Sequence, residues 1–141
     1  MTDTGVRAIA IASLVLSPIS ALAEELDPGD EMTAAFECAA LASDIDDPAN
    51  MQPDIDRLLT FGIDEGRLVA AAMAAGFTSK NSPLAKVQPD FWVGASWAMA
   101  GREIQDFISA AVQGHPGDHG ALQKVIATTQ YKQRDCSLIG Q

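Results

Sequence analysis

Residues 115–119 read H-P-G-D-H and hold the only two histidines of the chain, with a carboxylate between them. Imidazole and carboxylate donors suit a divalent transition metal. The spacing does not. Pro116 and Gly117 place His115, Asp118 and His119 on a loop, and the helical H-E-x-x-H arrangement is absent. Asp118 reads first as the cap of a following helix. No metal site and no cofactor are expected. If a metal were held, these three residues would be its ligands.

Two other patterns brush against catalysis. Residues 94–98 read G-A-S-W-A, which lacks the last glycine of a nucleophile elbow around Ser96. The elbow also needs a preceding strand, and none is visible. Carboxylates cluster at Asp44, Asp46 and Asp47 and again at Asp54 and Asp56. Acid–base work needs one carboxyl in an apolar pocket and one in water. Acidic loops are ordinarily just solvated. No catalytic residue is expected, and the chain reads as a non-enzyme.

The remaining candidates are binding features. Gly62 and Gly66 form a G-x-x-x-G inside a helical stretch, and Gly94 and Gly101 continue the small-residue theme. A glycine inside a helix costs about 1 kcal/mol against alanine, so a close helix approach or a groove floor is expected there. Asp64, Glu65 and Arg67 interrupt the stretch and speak against dimerisation in a membrane. Trp97 reads as core. Phe91 and Trp92 read either as core or as an exposed anchor for a partner, because tryptophan is enriched at binding hot spots.

The two cysteines, Cys38 and Cys136, are 98 positions apart (136 − 38). That separation excludes a C-x-x-C redox pair. It suits one structural disulfide, provided the chain leaves the reducing cytoplasm. The N-terminus supplies that condition. Residues 8–23 are 16 largely apolar positions after Arg7, broken by Pro18, and they end in the A-x-A pattern of Ala21 and Ala23. This is the layout of a cleaved secretory signal peptide, with cleavage expected after Ala23. A spanning helix needs about 20 apolar residues, so a membrane anchor fits less well. No cysteine stands at the cleavage position for lipid attachment.

The exported form would run over 24–141 as a single domain with a periplasmic address. Its charge is uneven. Residues 24–50 hold nine acidic and no basic side chains, while 51–141 hold nine acidic and eight basic. With a formal charge of −10 over the whole chain, nucleic acid and anionic lipid are poor partners. An acidic lead-in over 24–29 is expected to be solvated, and a basic protein partner is the sharper alternative.

Apolar residues recur at spacings of three and four, and period-two alternation is nearly absent. Four main helices are expected. The first spans 31–43, capped by Asp30 after a Pro28–Gly29 turn, and points Cys38 inward. The second spans 53–75 from Pro53, with Ile55, Leu58, Leu59, Val69 and Met73 in its stripe. A polar loop over 78–82 and a helix start at Ser82 and Pro83 follow. The third spans 90–113, with Val93, Trp97, Ile104, Phe107 and Ile108 inward. The fourth follows Asp118 to 133, with Leu122, Val125, Ile126 and Thr129 inward. Leu138 and Ile139 are expected on the bundle. The fold class is therefore all-α, a small bundle pinned by one disulfide between the first helix and the tail.

This layout, a short exported helical domain with one early and one C-terminal cysteine, resembles small periplasmic immunity proteins and acid-stress chaperones. No motif residue carries over. Three functions are expected in order: an envelope protein that binds a partner as an inhibitor or immunity protein does, a chaperone that loosens in acid, and a small-molecule or metal carrier that uses a pocket between the second and third helices.

Overall fold

The structure, a computed structural model, describes residues 27–45, 47–76 and 87–141. The leader 1–23, the first residues of the acidic lead-in, the 78–82 loop and the helix start at 82–83 lie outside these. Four helices make up the fold: α1 (Pro28–Ser43), α2 (Pro48–Gly76), α3 (Pro89–Val112) and α4 (His119–Gln133). A short 3-10 turn, Cys136–Leu138, follows α4. No strand occurs among the described residues. The chain is the all-α bundle that its spacing predicts.

Three of the four helices open on a proline. Proline is suited to the first helical position because its missing N–H has no intrahelical acceptor there. It also pushes the preceding residue into extended backbone. Asp27 is extended (φ −60°, ψ 134°), and its Oδ1 accepts the Gly29 N–H at 2.8 Å. The cap of α1 is thus Asp27, not Asp30, which sits inside the first turn beside Glu31. There both carboxylates face the positive end of the helix dipole. The same Asp–Pro start opens α2. Asp47 Oδ1 accepts the Asn50 N–H at 3.3 Å, and the helix begins at Pro48, five residues before the expected 53. Pro53 lies within the helix, close enough to its start that one lost backbone bond is tolerated.

Two apolar clusters occupy opposite ends of the bundle. One gathers the second half of α1 (Cys38 to Ala42), Leu58, Ile104, Ile108, Ala127, Tyr131 and Cys136. It draws on all four helices and the tail. The other holds Met32, Phe36, Val93 and Ala100, with Leu59, Ile63 and Trp97 packed against it. No α4 residue belongs to it. Trp97 and Leu59 touch both clusters.

Glycine lets α1 and α2 approach. A Cβ at Gly62 would stand 2.6 Å from Phe36 Cε1, and one at Gly66 would stand 2.8 Å from Val93 Cγ2. Gly94 and Gly101 meet nothing within 4 Å. The expectation of close packing fails for these two, which lie on faces of α3 that no described helix covers.

After α4, Asp135 takes left-handed backbone (φ 51°). Aspartate is one of the few non-glycine residues that tolerate this region. The reversal returns the tail to α1. Cys136 then bonds Cys38 with a Cα–Cα separation of 5.5 Å, and both cysteines are fully buried. Several expected core positions are exposed: Met73, Phe107, Val125, Thr129 and Leu138. For α4 the reason is its narrow seam, which buries only Ala127 and Tyr131. Ile139, not Leu138, packs on the core. No described helix is long and apolar enough to cross a membrane.

Candidate functional site

The expected metal ligands do not converge. Asp118 Oδ1 accepts the N–H groups of Gly120 (2.9 Å) and Ala121 (3.3 Å), which commits it to capping α4. His119 Nε2 lies 3.0 Å from the His115 carbonyl. Among the described residues no three histidine, cysteine or acidic side chains are grouped to hold a metal. Ser96 lies inside α3, far from any strand-to-helix turn.

The carboxylates separate into two kinds. Asp54 is part of a polar latch. Tyr131 donates to Asp54 Oδ2 at 2.7 Å, and Arg57 Nη2 reaches Asp54 Oδ1 at 3.1 Å and the Cys136 carbonyl at 3.3 Å. The phenol bond, assisted by Arg57, holds the Asp54 carboxyl below its ordinary range. Burial, then the Asp54 bond, pushes Tyr131 up to about 12. Arg57 Nη1 is buried with no partner among the described residues. Asp44 differs. Burial pushes its carboxyl up, opposed by the bond from Gln105 at 2.7 Å. Among the described residues no second carboxylate contributes to either shift. Arg134 adds a further tie from the tail to Glu37 on α1. No local pattern marks this latch, because its members lie 77 and 79 positions apart.

The candidate binding feature is a groove of about 370 Å3 between α2 and α3. α1 supplies its floor through Phe36, whose ring meets Trp97 edge-on at 5.6 Å between centroids. Leu59 and Ile63 form one wall, and Val93 and Trp97 the other. Each lies where helical spacing turns an apolar residue toward the neighbouring helix. The volume is within the usual range for ligand sites, roughly 300–1,000 Å3.

Gly94 opens the α3 side of the groove, since no side chain stands there. Arg67 and Asp90 form the rim, 3.3 Å apart and 55% and 74% exposed. Arg67 also lies 3.8 Å from Asp64. Phe91 follows Asp90 in the first turn of α3. It is 63% exposed and makes an edge contact with the partly buried Trp92. Of the expected anchors, Phe91 is therefore in solvent and Trp92 only half so.

A larger depression, about 530 Å3, runs along α4 past Ala121, Val125 and Thr129. Its described lining comes from α4 and its cap alone, so it lacks facing walls. The groove has three. No protein-family model matches the chain, and no curated protein or solved structure matches it either.

Proposed function

We propose that this chain is an exported periplasmic binding protein without catalytic activity. It acts on a protein of the cell envelope, in the manner of an inhibitor or immunity partner, and it does so through the α2/α3 groove. The observation that carries this reading is the groove itself: apolar walls from three helices, a rim with one exposed ion pair, and an exposed Phe91 beside it. Such a site buries an apolar side chain and orients it with few polar contacts. The signal-peptide layout and the buried disulfide support the address.

Gly94 provides the test. A Cβ at this position meets no described atom within 4 Å, so Gly94→Phe can start a side chain into the groove mouth without a clash at its root. Oxidised protein and this variant serve as bait for envelope extract. One stoichiometric partner held by the former and lost by the latter is the expected result. A partner held equally by both removes the groove from the function.

A second reading, a small-molecule carrier, rests on the groove volume. Native mass spectrometry of protein purified without chelator would then show a retained ligand, absent from Gly94→Phe.

A further inference from the structure

The crevice on the other flank of α2 already has an occupant, and its recognition mode is visible. The tail lies there. Gly140 presses on Phe61, where a Cβ would stand 2.9 Å away. Ile139 packs on the core, and Arg134 pairs with Glu37 of α1. The occupant combines an apolar contact with a flanking cation on a carboxylate of the bundle.

The α2/α3 groove offers the same two elements with no described residue filling them. Its charge is one-sided. At the rim two carboxylates, Asp64 and Asp90, flank one guanidinium, Arg67. Lys80 and Lys86 of the α2–α3 connection lie outside the described residues. Arg67 is already shared between Asp64 and Asp90. The walls are helices, whose backbone bonds are satisfied internally, so the groove offers no ladder to an extended strand. An occupant must satisfy its own backbone.

We infer that the groove takes an amphipathic helix of the partner protein, with leucine- or methionine-sized anchors on one face and lysine or arginine flanking them. This rests on the groove being the binding site. The anchor enters between Ile63 and Trp97, and the flanking cation competes with Arg67 for Asp90. An exposed ion pair is worth little, so the exchange costs little. The same acidic end repels anionic lipid.

The test uses the oxidised exported protein and two synthetic 18-residue peptides. Both carry leucine at helical i, i+3, i+4, i+7 spacing. One has lysines on the flanks and the other glutamates at the same positions. Binding is read by tryptophan emission, and peptide helicity by circular dichroism. The lysine peptide is expected to bind about ten-fold or more tighter than the glutamate peptide, with the gap closing in high salt. It should gain helicity on binding. Gly94→Phe should abolish its binding, and Asp90→Lys should shrink the preference.

Equal affinity for the two peptides, or no binding of either, overturns the inference. So does lysine-peptide binding that survives Gly94→Phe, or binding to phosphatidylglycerol vesicles that Gly94→Phe abolishes. The groove reading fails separately. It falls if the envelope partner is still captured by Gly94→Phe, whatever the peptides do.

Discussion

The chain's own tail lies against α1 and α2, with Gly140 on Phe61, and leaves a depression of about 300 Å3 there, whereas the groove between α2 and α3 has no occupant among the described residues. On the tail's flank the ties are of three kinds: a disulfide, a partly buried phenol–carboxylate–guanidinium latch, and an ion pair from Arg134 to Glu37. On the open flank there is one exposed ion pair over an apolar floor. The tail would otherwise fray, as chain ends do. Its ties therefore supply stability. The open flank leaves apolar surface facing water, at a cost that folding alone does not explain. The division puts the ties at the α4 end and, in the reading proposed above, recognition at the other.

The strongest way to break that division is to cut the disulfide. Cys38→Ala with Cys136→Ala removes a cross-link across 98 positions. A loop of that length is worth about 4.7 kcal/mol in the chain-entropy model. Denaturant unfolding at neutral pH should show a loss of that order. Tryptophan emission of the native state should stay near that of the parent, because the Trp97 ring lines the groove beside Phe36, even though it also packs on the disulfide-end cluster. Emission that shifts as far as the stability would mean the two ends are not separable.

Overpacking the α1–α2 contact comes next. In Gly62→Ala the new methyl would meet two Phe36 ring carbons at 2.6 and 2.7 Å. Overpacking of this kind costs about 1–3 kcal/mol. Phe36 is also the groove floor, so this variant should lose stability and peptide binding together. Retained binding with lost stability would place the groove floor elsewhere.

Tyr131→Phe tests the latch alone. Loss of a bond to a charged carboxylate should cost about 1.5 kcal/mol. The pH dependence follows from the directions. Tyr131 is raised to about 12, so its contribution is complete below the ordinary phenol value and is lost as pH rises toward 12. Asp54 is held down, so its contribution is present above the ordinary carboxylate range and is lost as pH falls through its lowered value. Tyr131→Phe should abolish the alkaline decline in unfolding free energy and weaken the acid one. An unchanged alkaline slope would show that Tyr131 does not govern it.

These features differ in how legible they were. The four helices were readable because each has apolar spacing and a marked start. Two starts differ from the reading for one reason. Pro28 reads as a turn and Pro53 as a first-turn residue, although Asp27–Pro28 and Asp47–Pro48 share one signature, an aspartate that accepts an N–H of the first turn and precedes a first-turn proline. The disulfide was legible because only two cysteines exist. The latch was not, since Asp54 and Tyr131 are ordinary surface types until the fold brings them together. The groove was half legible. A site between the second and third helices was expected, yet the glycines flagged for it divide in the fold. Gly62 and Gly66 are spent on packing, and only Gly94 opens the site.

Gly94→Ala sharpens that last point. With nothing within 4 Å of its Cβ, alanine should raise stability by about 0.5–1 kcal/mol through helix propensity alone. Its sign is opposite to that of Gly62→Ala. A loss at Gly94 would mean that something covers this face of α3 in the folded protein.

The smallest effect is expected at the rim. Arg67 and Asp90 are both more than half exposed, and such pairs contribute about 0–1 kcal/mol. Arg67→Gln should move the unfolding midpoint barely beyond error. It should nevertheless tighten the lysine-flanked peptide, because Asp64 and Asp90 lose their resident cation and the rim becomes more acidic. A stability change near zero with a binding change of several-fold is the pattern of a residue kept for recognition. The reverse, a clear stability loss with unchanged affinity, would make the rim one more tie of the bundle and erase the contrast between the two flanks of α2.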